Sequence, residues 1–317
     1  MVNTNSQKII LKLEPNNIPI YNDADFSKKG IKALKISTAA LLGTGLLQVI
    51  IFYISGSAAL LADTIHNFSD AFTAIPLWIA FVLSLRKPTR SLTYGYGRVE
   101  DAAGLIIILV ILISGIIALY ESVYKLINPV NITNTNWVMA AGIIGFIGNE
   151  LAAKYRIKTG KEINSISLVA DGKHSRIDGI TSLGVLVGAI GVKIGLPIID
   201  PMAGIIISIF IFIILIETSK EIFNRLLDVV DPSLLTDIEK IALNIPNVKG
   251  VSDVKARWSG HKIYTEISIT VANNISVEDG HSIAMNVHRH LIQKIAHLKN
   301  ITIHVDPQNK IGEINHM

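Results

Sequence analysis

Six stretches of this 317-residue chain are long and apolar enough to cross a bilayer, and that constrains the fold more than any other feature. They run Lys35 to Ile54, Ala58 to Leu85, Glu100 to Tyr124, Trp137 to Tyr155, Ser165 to Ile194 and Asp200 to Ile222. Half of the residues are hydrophobic, 17% are charged and the mean hydropathy is +0.47, which is too apolar for a soluble chain of this length. In hydrocarbon only a helix closes its backbone hydrogen bonds within one segment, so the expected fold is an α-helical integral membrane protein. Residues 35–222 form its six-span transmembrane domain. Residues 1–34 are polar, lack a signal-peptide core and are expected to be a cytosolic tail.

Loop charges set the orientation. Lys28, Lys29, Lys32 and Lys35 precede the first span, Arg86, Lys87, Arg90 and Arg98 follow the second, and Lys154, Arg156, Lys158 and Lys161 follow the fourth. By the positive-inside rule these segments are cytosolic, as are both termini. The opposite loops, Ser55 to Ser57, Asn128 to Asn136 and Gly195 to Ile199, carry almost no cations. The net charge of +4 is modest, and its carriers flank apolar segments, so the basic residues read as membrane-flank charges and nucleic acid is excluded as a partner.

After Phe223 the pattern becomes that of a soluble domain, with a break at Asp231-Pro232. Ser233 to Asn244 reads as an amphipathic helix and Val248 to Trp258 as a strand. Ile263 to Val271 alternates as a half-buried strand after a Ser259-Gly260 turn, Val277 to Ala296 is a helix, and Ile301, Ile303 and Val305 mark a last strand. The order α-β-β-α-β over residues 231–317 predicts a small ferredoxin-like α+β domain with helices on one face.

Chemistry enters with ionisable residues inside two of the spans, where their cost makes function the default reading. The second carries Ala62-Asp63-Thr64-Ile65-His66-Asn67-Phe68-Ser69-Asp70 and the fifth Ala170-Asp171-Gly172-Lys173-His174-Ser175-Arg176-Ile177-Asp178. Both read A-D-x-x-H-x-x-x-D. In a helix the His and the final Asp share a face one turn apart. Two such pairs facing each other supply two imidazoles and two carboxylates from His66, Asp70, His174 and Asp178, a tetrahedral set of the kind zinc accepts. With no cysteine in the chain, imidazole and carboxylate are the donors that remain. Asp63 and Asp171 lie a turn away, as ligands, outer supports or groups on the ion's path. The same readings apply to Asn149 and Glu150 in the fourth span.

These motifs resemble those of the cation diffusion facilitators. The resemblance extends through S-G-S-x-A-L-L-A-D at Ser55 to Asp63, H-x-x-x-D in both spans, Y-G-Y-G-R-x-E at Tyr94 to Glu100, and a cytosolic domain ending His304-Val305-Asp306-Pro307. It implies a homodimeric exporter that exchanges a cytosolic divalent metal for protons through His66, Asp70, His174 and Asp178. It also implies a multi-pass protein of the cell membrane, a bacterial inner membrane being the expected location. Leu92 and Tyr96 stand where some members place metal-binding histidines, so no metal is expected there. In the cytosolic domain His281, His304 and Asp306 match a zinc site of some members. Ser252 and Ser268 replace two further histidines, and His261 offers a substitute ligand. Arg98 and Asp228 match a charge interlock between spans and cytosolic domain. No permanently bound cofactor is implied, and zinc is both transported substrate and regulatory ligand.

Metal binds deprotonated ligands, so loading displaces protons, and histidine, with an unperturbed pKa of about 6.5, suits that exchange. Cadmium, cobalt and iron are further candidate cargoes. Pro76 is expected to kink the second span, and Gly172, Gly179, Gly184 and Gly188 to let the fifth helix pack against it. Two other classes compete with a transporter. An intramembrane zinc hydrolase needs an open coordination position and a general base, and the sequence holds no H-E-x-x-H. A membrane metal sensor or scaffold would use the cytosolic domain alone.

Overall fold

The structure is a computed structural model, and it describes residues 23–55, 74–128 and 134–310. His66, Asp70 and Asp63 lie outside the described residues, as does most of the second span. The chain divides into two compact units, one covering Ala24–Phe223 and the other beginning its C-terminal part at Asn224.

The regular secondary structure among the described residues of the first unit is all helix. Its helices are α1 (Asp23–Ser55), α2 (Ile75–Ser84), α3 (Arg98–Ile127), α4 (Thr135–Glu162), α5 (Ile166–Lys193) and α6 (Ile199–Leu226). Among the described residues four segments are long and apolar enough to cross a membrane: Ala24–Ile51 within α1, and all of α3, α5 and α6. A helix of 28 residues is about 42 Å long, more than the hydrocarbon thickness. α4 has that length too, but its second half carries Glu150, Lys154, Arg156, Lys158 and Lys161. The outer face of α3 leaves Ile106, Leu109, Ile113, Ile116 and Ile117 about half exposed. An apolar stripe of that extent needs acyl chains around it. The unit is a helical transmembrane domain.

Several local expectations shift. Helix α1 is described from Asp23, and Lys28, Lys29 and Lys32 stand on it. Pro76 sits in the first turn of the described helix α2, and the part of the second span that precedes Ala74 lies outside the described residues. α4 continues to Glu162, which moves Arg156 from a loop into the helical bundle. Gly172 and Gly179 of α5 face α4, and Gly184 and Gly188 face α6.

The second unit has the expected order, with α7 (Pro232–Leu243), β1 (Gly250–Ser259), β2 (Lys262–Val271), α8 (Val277–Lys294) and β3 (Leu298–Pro307). The sheet order is β1-β2-β3, β1 antiparallel and β3 parallel to β2. Gly260, with φ +59°, opens the two-residue loop between β1 and β2, a place where a positive φ favours glycine. Ile238, Ala242, Ile263, Ile267, Ile269, Val287 and Leu291 form the core. The alternation read for β2 holds over its first half only. Ser268 and Thr270 are buried as well, because β2 is the central strand.

Asp231 explains where α7 begins. Its carboxylate accepts from the Ser233 N–H at 2.9 Å and Pro232 occupies the first helical position. Those Ser233 hydrogen bonds hold the Asp231 carboxyl below the usual carboxylate value. A lowered folded pKa stabilises above the unfolded pKa, near 3.8, and that contribution is lost as pH falls through the folded value. Asp231→Ala is expected to weaken protection of the first α7 amides against hydrogen exchange by about 1 kcal/mol at neutral pH. The difference from the parent should shrink below pH 4, and unchanged protection would remove the cap.

Candidate metal transport site

Helix α5 carries the half of the site that the structure describes. Ser165 caps it, its Oγ accepting from the Leu168 N–H at 3.1 Å, and the helix then runs unbroken through Asp171, His174 and Asp178. The spacing puts the three on one stripe, a turn apart from one another. All three are buried, at 0%, 1% and 3% exposure. His174 Nδ1 lies 3.7 Å from Asp178 Oδ1, so imidazole and carboxylate converge as the spacing predicts.

The other ionisable groups of α5 are paired in different directions. Asp171 Oδ2 lies 3.0 Å from Arg156 Nη1, both side chains fully buried. Lys173 reaches Glu221 at 3.1 Å and Glu217 at 3.5 Å on α6. Arg176 donates twice to Glu150 on α4, each at 3.1 Å, and Lys154 approaches the same carboxylate at 3.7 Å. Glu150 is therefore engaged by cations of its own chain, as is Asp171.

Close helix approach makes these pairings possible. A Cβ on Gly172 would come within 2.9 Å of the Ile157 backbone nitrogen and 3.1 Å of the Arg156 Cβ. Gly142, Gly145 and Gly160 give α4 the same intimacy with α5, and Gly148 admits Thr44 of α1. Arg156 is the residue that loop-charge reasoning misplaced. Its signal lay in the sequence, in a helical run of α4 with no breaker between Asn149 and Gly160.

In the C-terminal unit, His304 Nε2 lies 2.8 Å from Asp306 Oδ1 on β3. His261 is buried in the β1–β2 loop and His281 is exposed on α8. Among the described residues of one chain, no three metal-ligating side chains gather into a cluster. Arg98 lies in the first unit, 3.7 Å from Asp101, and Asp228 in the second.

A helical membrane unit with an imidazole and a carboxylate buried on one helix face, followed by a small α+β unit, defines a polytopic membrane protein equipped to bind cations. Residues 34–227 match the cation efflux transmembrane domain, and residues 230–308 match the cytoplasmic domain of cation efflux proteins. The chain belongs to the cation efflux family, the cation diffusion facilitators; it is a transporter and not an enzyme. It is 44% identical to a probable cation efflux system protein of Mycobacterium tuberculosis over 278 residues, 88% of this chain and 84% of that one. It is 29% identical to the magnetosome protein MamB of Magnetospirillum gryphiswaldense over 263 residues, 83% and 89% of the two chains. The manganese efflux system protein MneP of Bacillus subtilis is 24% identical over 284 residues, 86% and 95%.

The packing around Gly172 yields a direct test. Gly172→Val forces α4 and α5 apart, at an overpacking cost of about 1–3 kcal/mol, and should lower the thermal midpoint and the monodisperse yield in detergent. Gly179→Ala is the control, since its new Cβ would meet the Asn149 Cβ at 3.3 Å and the Phe146 oxygen and Glu150 nitrogen at 3.6 and 3.7 Å, with no contact under 3.0 Å. Equal stability of the two variants would show that the helices are not locked at Gly172.

Proposed function

We propose that this transporter exports zinc in exchange for protons through His66 and Asp70 of the second span and His174 and Asp178 of the fifth. The observation that carries the reading is the buried His174 and Asp178 pair on one face of α5, repeated as His66 and Asp70 in the sequence. Two imidazoles and two carboxylates suit zinc at four-coordination, and cadmium and cobalt follow closely, while manganese prefers more oxygen. Iron remains a cargo candidate on the same donor set. Loading displaces protons from the ligands, and proton return from the opposite side expels the metal.

The protein works as a homodimer in the bacterial inner membrane with both termini in the cytosol, a reading supported by the loop charges and by the match to the cytoplasmic domain of cation efflux proteins. That domain, with His281, His304, Asp306 and His261 as its candidate ligands, senses cytosolic zinc. Arg98 and Asp228 form the charge interlock between spans and domain. An exposed ion pair contributes only about 0–1 kcal/mol, so the interlock matters only if the dimer shields it from water.

In proteoliposomes with an internal pH dye, His66→Ala, His174→Ala and Asp178→Ala should each abolish zinc flux and its linked proton movement while the protein stays folded. Normal flux in any of them would sink the four-ligand site. His66→Asp should shift preference toward manganese as the donor set becomes harder. For the interlock, Arg98→Asp and Asp228→Arg should each impair flux and dimer fraction, and the double reversal should restore part of both. Additive losses would remove the pairing from the account.

A further inference from the structure

One carboxylate on the proposed ligand stripe, Asp171, has a cation beside its Oδ2, while its Oδ1 is buried without a hydrogen-bond partner. Asp171 precedes His174 by three residues and Asp178 by seven, so the helix puts all three on one face, where a third oxygen donor would join the coordination sphere. Instead its Oδ2 lies 3.0 Å from Arg156 Nη1, in an ion pair with no solvent exposure on either side. The guanidinium is itself held in place. Its Nε donates to Ser37 Oγ at 2.8 Å and its Nη2 to Thr38 Oγ1 at 3.4 Å, both on α1. Its Nη1 also donates to Ser175 Oγ at 2.9 Å, beside His174. Ser37 and Ser175 bond in turn to the backbone oxygens of Leu34 and Asp171. Three helices therefore fix one cation against one carboxylate.

We infer that Arg156 is a specificity-determining residue: by pairing with Asp171 it keeps a third carboxylate out of the coordination sphere and holds the site to two imidazoles and two carboxylates. The choice of arginine matters, because a guanidinium does not give up its proton in proteins and its five donors match acceptors on α1 and α5 at once. The mask stays in place while protons come and go at histidine. A bare Asp171 would add both an oxygen donor and a negative charge. Both changes favour hard, oxygen-preferring ions such as manganese over zinc, and the extra charge slows release of any divalent cation. The inference rests on the transport-site reading of His174 and Asp178.

The test uses full-length protein in proteoliposomes and a panel of zinc, cadmium, cobalt and manganese, with binding measured by calorimetry in detergent. Arg156→Gln should lower the zinc-to-manganese affinity ratio by about tenfold or more, within the range that groups around a metal's ligands command. Arg156→Gln with Asp171→Asn removes both charges, leaves no uncompensated buried ion and should restore the parental metal ranking. If Arg156 only braced the bundle, the double variant would lose as much as the single one. Parental ranking in Arg156→Gln, or altered ranking in the double variant, overturns the inference. Should the single variant fail to fold, the double decides alone: parental ranking with flux supports the mask, and altered ranking or lost flux refutes it. Flux retained in His174→Ala overturns both the site and the mask. An inactive His174→Ala beside an unchanged ranking in Arg156→Gln overturns the mask only.

Discussion

A charge placed at membrane depth must be answered by another, and the arrangement of the first unit follows from that requirement. Helix α5 holds Asp171, Lys173, His174, Arg176 and Asp178 within eight consecutive residues. Left alone in hydrocarbon such a segment would not stay in the bilayer. The structure answers each outlying charge with a partner on a neighbouring helix: Arg156 and Glu150 on α4, Glu217 and Glu221 on α6. What remains on the stripe beyond Asp171 is an imidazole and a carboxylate, His174 and Asp178, the pair proposed above as ligands. Buried ionisable groups are tolerated on this helix because the charges around them have been neutralised.

Neutralisation at this range demands that backbones come close, and that explains the glycines. Ion pairs of about 3 Å between neighbouring helices leave little room for side chains at the crossing points. Gly142, Gly145, Gly160 and Gly172 clear the α4–α5 seam, and Gly148 clears the passage of α1 over α4. Glycine costs helix propensity in water, but in a bilayer each segment is helical regardless, so the penalty falls away and the packing gain remains. The glycines of α5 divide their work, the first two serving α4 and the next two α6. That makes α5 a central element gripped from both sides, with Ser167 also donating to the Glu100 carbonyl of α3 at 2.8 Å.

Much of this was legible in the sequence. The apolar runs gave the helices that the structure describes, and the α-β-β-α-β order appeared from alternation and turn residues. The convergence of His174 and Asp178 followed from a four-residue spacing. What sequence reasoning could not supply was the third dimension of charge. Arg156 sits among Lys154, Lys158 and Lys161 and reads like them as a cytosolic flank, because the rule that orients membrane helices counts cations without knowing their azimuth on a helix. Lys154 is exposed and Arg156 is fully buried, two positions apart on one helix. The count of spans is likewise a matter of pattern, because α4 has the length of a span but not the apolar composition.

The repeat A-D-x-x-H-x-x-x-D invites the assumption that equivalent letters do equivalent jobs in the two spans. In the fifth span the first aspartate has at its Oδ2 an arginine that is itself hydrogen-bonded to α1. A motif states which side chains share a face, and the neighbouring helices decide which of them a cation can reach. Donor number and hardness, which separate zinc from manganese, then depend on residues that never touch the ion. Selectivity in such a site is set as much by which carboxylates are neutralised as by which are present.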